Sequence, residues 1–531
     1  MVESLIIGSG PAAAGAALAL AADPRQQITV LDLGQRLEPA QQAVLARVAA
    51  ADPPQWSEAD VAAIQAQPVA QVRGELPQKR SYGSDYPFRD QGQLIGISAT
   101  AGANRSVVSA AFGGFSNVWG AQVMPFSRAT FDRWPLSWAQ MEPHYRAVLQ
   151  EVPLAADEDE LEESFPRLVT AQPLPPLAAR SVDVLRRYER HRARLRRQGV
   201  LVARARLAMH ARDCVRCGLC MTGCPYSLIY SAAHTFQRLR ASGRIRYHEG
   251  LLVHRIAQVG EVVSVSARDV RTQTGHEFRG DRLFVACGGL GTTRLVLGSL
   301  PDAPAQVELA ESVQFVVPFL SARPVADPRT QSDFTLNQFN ILLDLGDNDY
   351  DLSQIHCYPY NPAFSAALPG VLRHPVTSAL TTQVLRRLTA GLGYLPSWAS
   401  PRISVTHCRR SGADLPEMSL SPVSTQRPPM YGRVLRRLVL AAPWLDLWPL
   451  LGRTQLSGAA KSYHFGASFG HAAAGRATPW STDLLGRLGG WTRIHLVDGS
   501  VFPSVPATTF TLTVMANAHR IASETMAESP A

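Results

Sequence analysis

The first thirty-two residues constrain the fold of this chain more than any other stretch. Residues 5–7 are apolar and predict a short strand, which runs into the glycine turn Gly8-Ser9-Gly10. An alanine-rich segment to residue 22 predicts a helix, and residues 28–31 predict a second strand that ends at Asp32. Strand, glycine turn, helix, strand and acid, in this order, are the pattern of a dinucleotide-binding βαβ unit.

Each position of this pattern has a physical role. Gly8 permits the tight turn, and Gly10 lets the backbone approach a pyrophosphate at the helix N-terminus. Asp32 is placed to accept hydrogen bonds from ribose hydroxyls. Ala13 stands where the pattern has its third glycine, a substitution that the motif tolerates. An ordinary strand–helix turn without a ligand is the alternative interpretation.

Four of the seven cysteines lie within residues 213–226. Cys214, Cys217, Cys220 and Cys224 follow the spacing C-x2-C-x2-C-x3-C-P that bacterial ferredoxins use to hold iron–sulfur clusters. The glycines between them provide the backbone freedom that a loop around an inorganic core requires. An iron–sulfur cluster is therefore the favoured interpretation. A zinc site and the absence of any metal are the alternatives, and disulfides are disfavoured because such close neighbours would compete.

The cysteine run differs from a ferredoxin in one respect. In two-cluster ferredoxins the fourth cysteine of the run binds the other cluster, whereas this chain has a single run. Either all four thiolates bind one 4Fe–4S core, or three bind a 3Fe–4S core and one is spare. Cys287, Cys357 and Cys408 could act as remote ligands, although no pattern supports them, and Cys287 is interpreted as a buried small residue.

Composition narrows the functional class. A chain of 531 residues is long enough for two large domains. The net charge of +9 comes from arginine, because Lys79 and Lys461 are the only lysines, and it is spread along the chain. No basic block with interleaved aromatic residues occurs, so nucleic acid is not an expected partner.

The location follows from what the sequence lacks. The N-terminus enters a structural motif at once, so no signal peptide is expected, and no run of about eighteen apolar residues predicts a spanning helix. The cytoplasm is the expected location, and export together with a partner is compatible with the sequence. Residues 435–451 are apolar and carry two tryptophans. A helix pair packed in the core is favoured there over contact with a membrane surface.

Several segments together resemble the glucose–methanol–choline (GMC) flavoprotein oxidoreductases. Besides the N-terminal turn they are Gly113-Gly114-x-x-Asn117, a second strand–glycine–helix segment at 285–295, His464-x-Gly466, and residues 497–503 continuing to 511–513. They span both ends of the chain in the family's order. The cysteine run is similar to the insert of an iron–sulfur-containing branch, exemplified by the catalytic subunit of bacterial FAD-dependent glucose dehydrogenase.

The resemblance implies FAD as the cofactor. Residues expected to hold its ADP half are Gly8, Gly10, Ala13 and Asp32. Residues expected near the flavin are Gly113, Gly114, Asn117 and Trp119, with Asp498, Thr511 and Leu512 along the ribityl chain and ring.

The resemblance also implies catalytic residues. His464 takes the position of the family's catalytic histidine, and an imidazole suits the removal of a hydroxyl proton while the carbon gives a hydride to the flavin. The family's second catalytic position, a His or Asn, aligns with Thr509. Three alternatives follow. The threonine hydroxyl serves as a weaker hydrogen-bond partner of the substrate oxygen, His471 occupies the place of the second catalytic residue, or the chemistry is not ordinary alcohol oxidation.

The expected fold class is α/β (α+β overall). It combines a Rossmann-like FAD-binding domain, a substrate domain built on an antiparallel sheet, and an iron–sulfur loop insert. The FAD-binding domain is expected in three parts, 1–150, 236–306 and 461–531, the last of which includes the segment of His464. Residues 151–235 are expected to form a linker, a helix and the cysteine loop, and residues 307–460 the substrate domain. Strands near 246–256 and 262–270 are expected to make a meander, and a helix is expected to begin near Ser137 or Pro143.

The expected function is that of an FAD-dependent alcohol dehydrogenase acting on a sugar, a polyol or a complex alcohol. Electrons would leave singly through the cluster to an external acceptor, for which a partner subunit and a cytochrome are the candidates. A dehydrogenase is favoured over an oxidase, because the cluster offers reduced flavin a route other than dioxygen. The rival hypotheses are a reductase of a carbonyl or double bond fed through the cluster, and a non-catalytic electron-transfer subunit.

Overall fold

The computed structural model describes residues 1–66, 79–89, 97–98, 108–346, 349–362, 370–408, 415–458, 461–473 and 478–528. Its helices, in chain order, are α1 (Pro11–Ala21), α2 (Pro39–Ala49), α3 (Glu58–Gln65), α4 (Arg128–Phe131), α5 (Trp138–Glu151), α6 (Ala179–Arg197), α7 (Ala232–Ala241), α8 (Gly289–Ser299), α9 (Ser378–Leu385), α10 (Pro429–Leu445) and α11 (Thr511–Ala527).

The strands are concentrated between residues 200 and 456. They are β1 (Val2–Ile7), β2 (Gln26–Leu31), β3 (Ile97–Ser98), β4 (Val200–Arg204), β5 (Arg246–His248), β6 (Leu251–Val259), β7 (Val262–Asp269), β8 (Gly275–Gly280), β9 (Arg282–Val285), β10 (Gln306–Glu311), β11 (Gln314–Leu320), β12 (Phe339–Asp344), β13 (Leu352–Tyr358), β14 (Leu388–Tyr394), β15 (Ile403–Cys408), β16 (Glu417–Pro422), β17 (Trp448–Pro449), β18 (Gln455–Leu456), β19 (Phe465–Gly466) and β20 (Ile494–Leu496).

A parallel sheet with the strand order β20-β9-β1-β2-β5 organises the N-terminal fingerprint. Its strands are runs of apolar residues, as expected for a parallel sheet that is covered on both faces. Ile6, Val30 and Phe284 have no exposed surface. Since β1, β2 and β9 run in the same direction, their carboxyl ends meet at one edge of the sheet. This is the edge at which open α/β sheets bind ligands.

Helix α1 packs directly along α11 from the other end of the chain. A Cβ atom added to Gly15 would lie 2.1 Å from the main-chain oxygen of Met515, so the two backbones are in contact at this point. The neighbouring alanines Ala13, Ala14 and Ala16 have no exposed surface. The alanine-rich sequence of α1 therefore reflects close packing between helix backbones.

Replacement of Gly15 by valine is expected to lower the free energy of unfolding by about 3 kcal/mol, because the added side chain forces α1 away from α11. Chemical denaturation would measure the change. Gly432→Val is the matched control, since Gly432 is also helical and its added Cβ would meet nothing within 4 Å. Equal denaturation midpoints for the two variants would contradict the expectation.

A seven-stranded antiparallel sheet forms the second large unit, in the order β17-β11-β14-β13-β12-β4, with β18 also paired to β11. One face presents Phe315, Ile341 and Ile355, which belong to a buried cluster with residues of α6 and α10. Because side chains alternate across a strand, Asn340 and Gln354 lie on the opposite face. That face is also fully buried.

Two expectations for individual segments were wrong. Residues 246–248 were expected in a meander, but they form β5, which pairs in parallel with β2. The meander consists instead of β6, β7 and β8. Residues 435–451 do not form a helix pair, because α10 ends at Asp446, which adopts a left-handed conformation (φ 52°), and the chain continues into β17.

The apolar segment 435–451 is buried on one side only. Leu438, Leu445 and Leu447 are buried, whereas Leu440 and Trp448 are 49% and 45% exposed. In the part of the chain that the structure describes, no helix combines the length and the apolar composition required to cross a bilayer.

The predicted fold class is confirmed. A Rossmann-like parallel sheet joins the two ends of the chain, and the region between them builds an antiparallel sheet. The cysteine run lies in a loop between β4 and α7. The predicted domain boundaries stay predictions.

Candidate active site

A deep cleft opens along the carboxyl edge of the parallel sheet and holds about 1610 Å³ of atom-free space, including space open to solvent. The predicted site residues in its walls are Gly8, Gly10, Asp32, Gly114, Trp119, His464, Asp498 and Thr511. Those outside the walls are Ala13, Gly113, Asn117, Leu512 and Thr509. The structure thus gathers residues from both ends of the chain into one cavity.

Three helices begin at this cleft without a side-chain cap. The residues before them, Gly10 for α1, Gly288 for α8 and Phe510 for α11, make no capping side-chain hydrogen bond. All three residues line the cleft. Free N–H groups and the helix dipole make each of these termini favourable for negative charge. A Cβ atom added to Gly10 would meet nothing within 4 Å, so a ligand can approach its backbone.

Asp32 is held at the end of β2 by two hydroxyl groups. Both Ser9 and Tyr247 donate hydrogen bonds to its Oδ2 atom, Tyr247 at 2.8 Å. Burial raises the pKa of Asp32 to about 6, although these two donors act in the opposite direction. A carboxylate fixed in this way can accept hydrogen bonds from the hydroxyls of a ribose.

The Gly113–Gly114 turn packs against the N-terminal glycine turn at Ser9 and Gly10. The N–H of Gly113 donates to the Ser9 hydroxyl at 3.0 Å, and a Cβ atom added to Gly114 would lie 3.1 Å from the Cα of Gly10. Both glycines have positive φ, 93° and 59°. Gly114 lines the cleft, whereas Gly113 is outside its walls and holds the turn against Ser9.

Asn117 and Trp119 brace this turn. The Asn117 amide donates to the carbonyls of Phe112 and Gly114 at 2.9 and 2.8 Å, so it fixes the turn rather than reaching the cleft. The Trp119 indole donates to the carbonyl of Tyr230 at 2.9 Å while its ring lines the cleft. Trp119 therefore connects the cleft with the chain segment that follows the cysteine loop.

His464 lies at the cleft wall immediately before β19, half-buried between two aromatic rings. The ring centroids of Tyr394 and Phe510 are 4.8 and 5.4 Å from that of His464, with interplanar angles of 16° and 19°. Its Nδ1 atom is buried and has no hydrogen-bond partner among the described residues. Burial lowers the pKa of His464 to about 4, so the imidazole is neutral at pH 7 and can accept a proton.

Thr509 lies one residue before Phe510 and is buried. Its hydroxyl oxygen accepts the N–H of Met124 at 3.0 Å, which leaves the hydroxyl proton available for donation. The alternative that His471 fills the space is wrong. Its ring nitrogens are engaged by Asp483, Thr482 and Asn517, and it lies outside the cleft walls.

Asp498 lines the cleft and is held by two hydrogen-bond donors. The Thr292 hydroxyl donates to its Oδ2 atom at 2.5 Å, and the N–H of Ser500 donates to its Oδ1 atom at 2.9 Å. Burial raises the pKa of Asp498, while these donors favour its charged form. The carboxylate thereby ties α8 to the segment that leads into α11.

The cysteine loop is folded by left-handed backbone conformations. Gly218 and Gly223 have φ of 78° and 119°, as their positions between the cysteines predicted, and Arg216 has φ of 55°. Burial raises the pKa of Cys214 to about 11 and that of Cys217 to about 12, and the nearby thiols act in the same direction. The thiols are therefore close enough to influence one another electrostatically.

The side chains of this loop do not form a preassembled metal site. Across the described ranges, no group of three or more His, Cys, Asp or Glu side chains is arranged to hold a metal ion. The chemistry of the donor set fits an iron–sulfur core, which takes cysteine thiolates. The cluster itself stays a prediction from the sequence.

Residues 79–82 connect the cysteine loop with the cleft. Lys79 donates to the carbonyl of Val118 at 3.0 Å, directly beside Trp119. The N–H of Tyr82 donates to the carbonyl of Thr222, and its hydroxyl donates to the carbonyl of Cys224 at 3.0 Å. The cysteine loop is thus one short segment away from the cleft wall.

Other residues of the site were missed from the sequence. Ser9 occupies a variable position of the glycine motif, and Tyr247 lies more than 200 residues from Asp32. Helices α2 and α3, in a stretch without clear periodicity, carry Val48 and Ile64, which pack with Leu219 of the cysteine loop. Only the parallel pairing of β2 with β5 could have indicated Tyr247.

This chain is similar to known proteins in its structure. No protein-family model and no curated protein sequence matches it. Pyridoxine 4-oxidase from Mesorbium loti is similar with a TM-score of 0.62 and 14% sequence identity over 100% of both chains. A variant of formate oxidase from Aspergillus oryzae RIB40, described for the effect of a mutation on FAD modification, has a TM-score of 0.60 and 12% identity over 99% of this chain and 98% of its own. The chain therefore shares the fold of these oxidases along its length.

Proposed function

We propose that this protein is an FAD-dependent oxidoreductase of the GMC type that oxidises an alcohol. The observation that carries the proposal is the meeting of three uncapped helix N-termini, a fixed carboxylate and a neutral histidine in one cleft. The fold likeness to pyridoxine 4-oxidase and formate oxidase supports it. When bound, FAD supplies an acceptor for the hydride of the alcohol carbon.

The residues of the cleft divide the task of holding this cofactor. Gly10 leaves room for the diphosphate at the N-terminus of α1, and Asp32 accepts hydrogen bonds from the ribose. Gly8, with φ of 100°, makes the turn that packs against the carbonyl of Ala286. Thr511 and the N-terminus of α11 face the flavin end, where partial positive charge favours electron-rich ring atoms. Trp119 forms the wall beside them.

His464 acts as the base in this proposal. Its neutral imidazole takes the hydroxyl proton as the hydride leaves, and the flanking rings of Tyr394 and Phe510 hold its plane. Thr509, next to the cleft residue Phe510, has a hydroxyl proton available for donation to the substrate oxygen. This arrangement needs no second histidine, which accounts for threonine at that position.

Anaerobic mixing of the purified protein with a panel of alcohols tests the proposal. Bleaching of the oxidised flavin absorbance is the expected result. If no alcohol bleaches the flavin, while reduced one-electron donors do and a carbonyl or alkene then reoxidises it, the reductase hypothesis is supported instead.

We further propose that electrons leave through an iron–sulfur cluster to an external one-electron acceptor, which makes the enzyme a dehydrogenase. The spacing of Cys214, Cys217, Cys220 and Cys224 supports this proposal, as does the short connection from their loop to Trp119. A cluster held by thiolates suits a reducing compartment, and we place the protein in the cytoplasm on this ground.

Replacement of Cys220 by serine is expected to abolish the electron paramagnetic resonance signal of the cluster and to slow reduction of artificial acceptors. Flavin reduction by substrate is expected to persist, because His464 and the cleft are untouched. Electron paramagnetic resonance, iron and sulfide analysis and acceptor-reduction rates of wild type, Cys220→Ser and the control Val215→Ser, at an exposed position of the same loop, would measure the change. Wild-type protein without iron, or with full turnover on dioxygen alone, would contradict the proposed electron route.

A further inference from the structure

A second cavity, called the loop cavity below, flanks the cysteine run and holds about 550 Å³ of atom-free space, including space open to solvent. His210 lies in its wall, four residues before Cys214. Ser227 also lies in its wall, three residues after Cys224. The N–H of His210 donates to the carbonyl of Leu228 at 2.9 Å, so the two ends of the cysteine run meet at this cavity. The other lining residues are Glu151, Pro153, Tyr230, His234 and Arg238.

Tyr230 connects the loop cavity with the cleft. It lines the loop cavity, and its carbonyl accepts the indole N–H of Trp119 at 2.9 Å. The centroids of the two rings are 6.3 Å apart, with an interplanar angle of 67°. Because Trp119 lines the cleft, one pair of packed aromatic residues reaches from one cavity to the other. A molecule in the loop cavity is thus close to both the cleft wall and the cysteine loop, the two elements of the proposed electron route.

The full charges in the wall of the loop cavity are paired with each other. Arg238 Nη2 lies 2.7 Å from Oε2 of Glu151, and the other carboxylate oxygen accepts the hydroxyl of Thr235 at 2.8 Å. Burial lowers the pKa of His234, so its imidazole is neutral at pH 7. An ion that entered the cavity would lose hydration without an unpaired opposite charge from this pair to replace it. The wall therefore favours a neutral ligand.

Two imidazoles in the wall are available to such a ligand. Within the described ranges, no group hydrogen-bonds to the ring nitrogens of His210 or His234. A neutral imidazole donates one hydrogen bond, and it can take up a proton at one nitrogen and release another from the second. The ring of Tyr230 lies 6.5 Å from that of His234 and perpendicular to it, which provides an aromatic wall. These groups suit a flat molecule whose carbonyl oxygens accept hydrogen bonds and take up protons on reduction.

We propose that the loop cavity binds the external electron acceptor and that this acceptor is a quinone. The inference rests on the proposed function, because that function requires an acceptor outside the cleft. In the balanced step the quinone takes up two electrons from the reduced flavin and two protons from solvent, which pass through His210 and His234. Both C=O groups become hydroxyls on an aromatic ring. The flavin returns to its oxidised form and releases its own proton to solvent.

Reoxidation of the reduced protein tests the inference without any alcohol substrate. The flavin is reduced anaerobically by light and 5-deazaflavin, and the protein is then mixed with ubiquinone-1 or with ferricyanide in a stopped-flow instrument. We expect ubiquinone-1 to reoxidise wild type. In His234→Leu the second-order rate constant for ubiquinone-1 is expected to fall about 10-fold, because a hydrogen-bond donor is lost. The rate with ferricyanide, an anion that has no use for this donor, is expected to stay unchanged.

Three further variants separate recognition from a structural role. His210→Leu, at an exposed position, is expected to slow the reaction with ubiquinone-1 in the same way. His234→Gln keeps a hydrogen-bond donor but cannot relay a proton, so it is expected to restore saturation by ubiquinone-1 while the limiting rate stays low. His276→Leu is the matched control, because His276 is exposed and lines neither cavity.

Failure of this inference and failure of the proposed function give different results. Equal rate constants for ubiquinone-1 in wild type and in both leucine variants at the loop cavity overturn the inference, because the quinone then reacts elsewhere, the cleft included. A wild type that ferricyanide reoxidises and ubiquinone-1 does not also overturns it, and leaves alcohol oxidation intact. A protein that no alcohol reduces, but whose photoreduced flavin is reoxidised by ubiquinone-1 at a rate that depends on His234, retains the acceptor site without the proposed alcohol chemistry.

Discussion

Replacement of His464 by alanine is expected to lower the rate of alcohol-driven flavin reduction by roughly 10²–10⁴-fold, the usual contribution of a positioned general base. The expectation rests on geometry. His464 is the histidine in the wall of the cleft, and two aromatic rings fix its orientation. No other imidazole lines the cleft among the described residues, so no second histidine can take over the role.

The pH dependence of the same rate gives an independent measurement. Burial lowers the pKa of His464 to about 4, and a base must be unprotonated to act. The rate of flavin reduction in wild type is therefore expected to be constant near neutral pH and to fall as the pH drops through about 4. In His464→Ala the residual rate is expected to lose this dependence.

Stopped-flow absorbance under anaerobic conditions would record both quantities. His276→Ala is the matched control, because His276 is exposed on β8 and does not line the cleft. Flavin content must be equal in all proteins. A His464→Ala protein that is reduced at the wild-type rate would show that this residue is not the base.

Acidification is expected to destabilise the protein progressively between pH 6.5 and 4. Burial lowers the pKa of six histidines to about 3 or 4; these are His144, His356, His464, His471, His495 and His519. In the unfolded chain a histidine has a pKa of about 6.5. Between these values the unfolded state binds protons that the folded state does not, so the free energy of unfolding falls as the pH falls.

The expected loss of folding free energy at low pH is large. One unit of pKa difference corresponds to about 1.36 kcal/mol, so each histidine removes up to about 3 kcal/mol at pH 4. Asp32 acts in the opposite direction, because burial raises its pKa to about 6 and the folded state binds its proton first. Asp159, Asp333 and Asp498, whose pKa burial also raises, act in the same direction as Asp32. The six histidines outnumber these carboxyls, so the free energy of unfolding is still expected to fall with the pH.

Calorimetry in buffers of different ionisation enthalpy would count the protons taken up on unfolding near pH 5. Several protons per molecule are expected. The double variant His144→Gln, His519→Gln serves as the comparison, because these two rings contact each other and lie outside the cleft. It is expected to take up about two protons fewer. Unfolding without proton uptake would contradict the argument.

Local patterns predicted much of the fold. The fingerprint from β1 to Asp32 was recognised because glycine turns and apolar runs are determined by neighbouring residues. The start of α5 was predicted near Ser137, whose side chain caps the helix in a capping box with Gln140. Such signals depend on a few consecutive residues, and sequence alone contains them.

Partners far apart in the chain could not be predicted in this way. Tyr247 reaches Asp32 because β5 joins the parallel sheet beside β2, although its residues read as part of a meander. The polar side chains of β12 and β13 match no sequence motif. Whether they are buried depends on which faces of the sheet are covered, and the pairing of strands that are far apart in the sequence determines that.

The sequence by itself determined the βαβ fingerprint, the cysteine spacing and the position of His464, because each depends on local order along the chain. The tertiary structure alone decided which groups meet. It brought Ser9, Asp32 and Tyr247 into contact, directed three helix N-termini at one cleft, and engaged His471 away from that cleft. The physical reason is that burial and strand pairing, which set hydrogen bonds and pKa values, are properties of the packed chain.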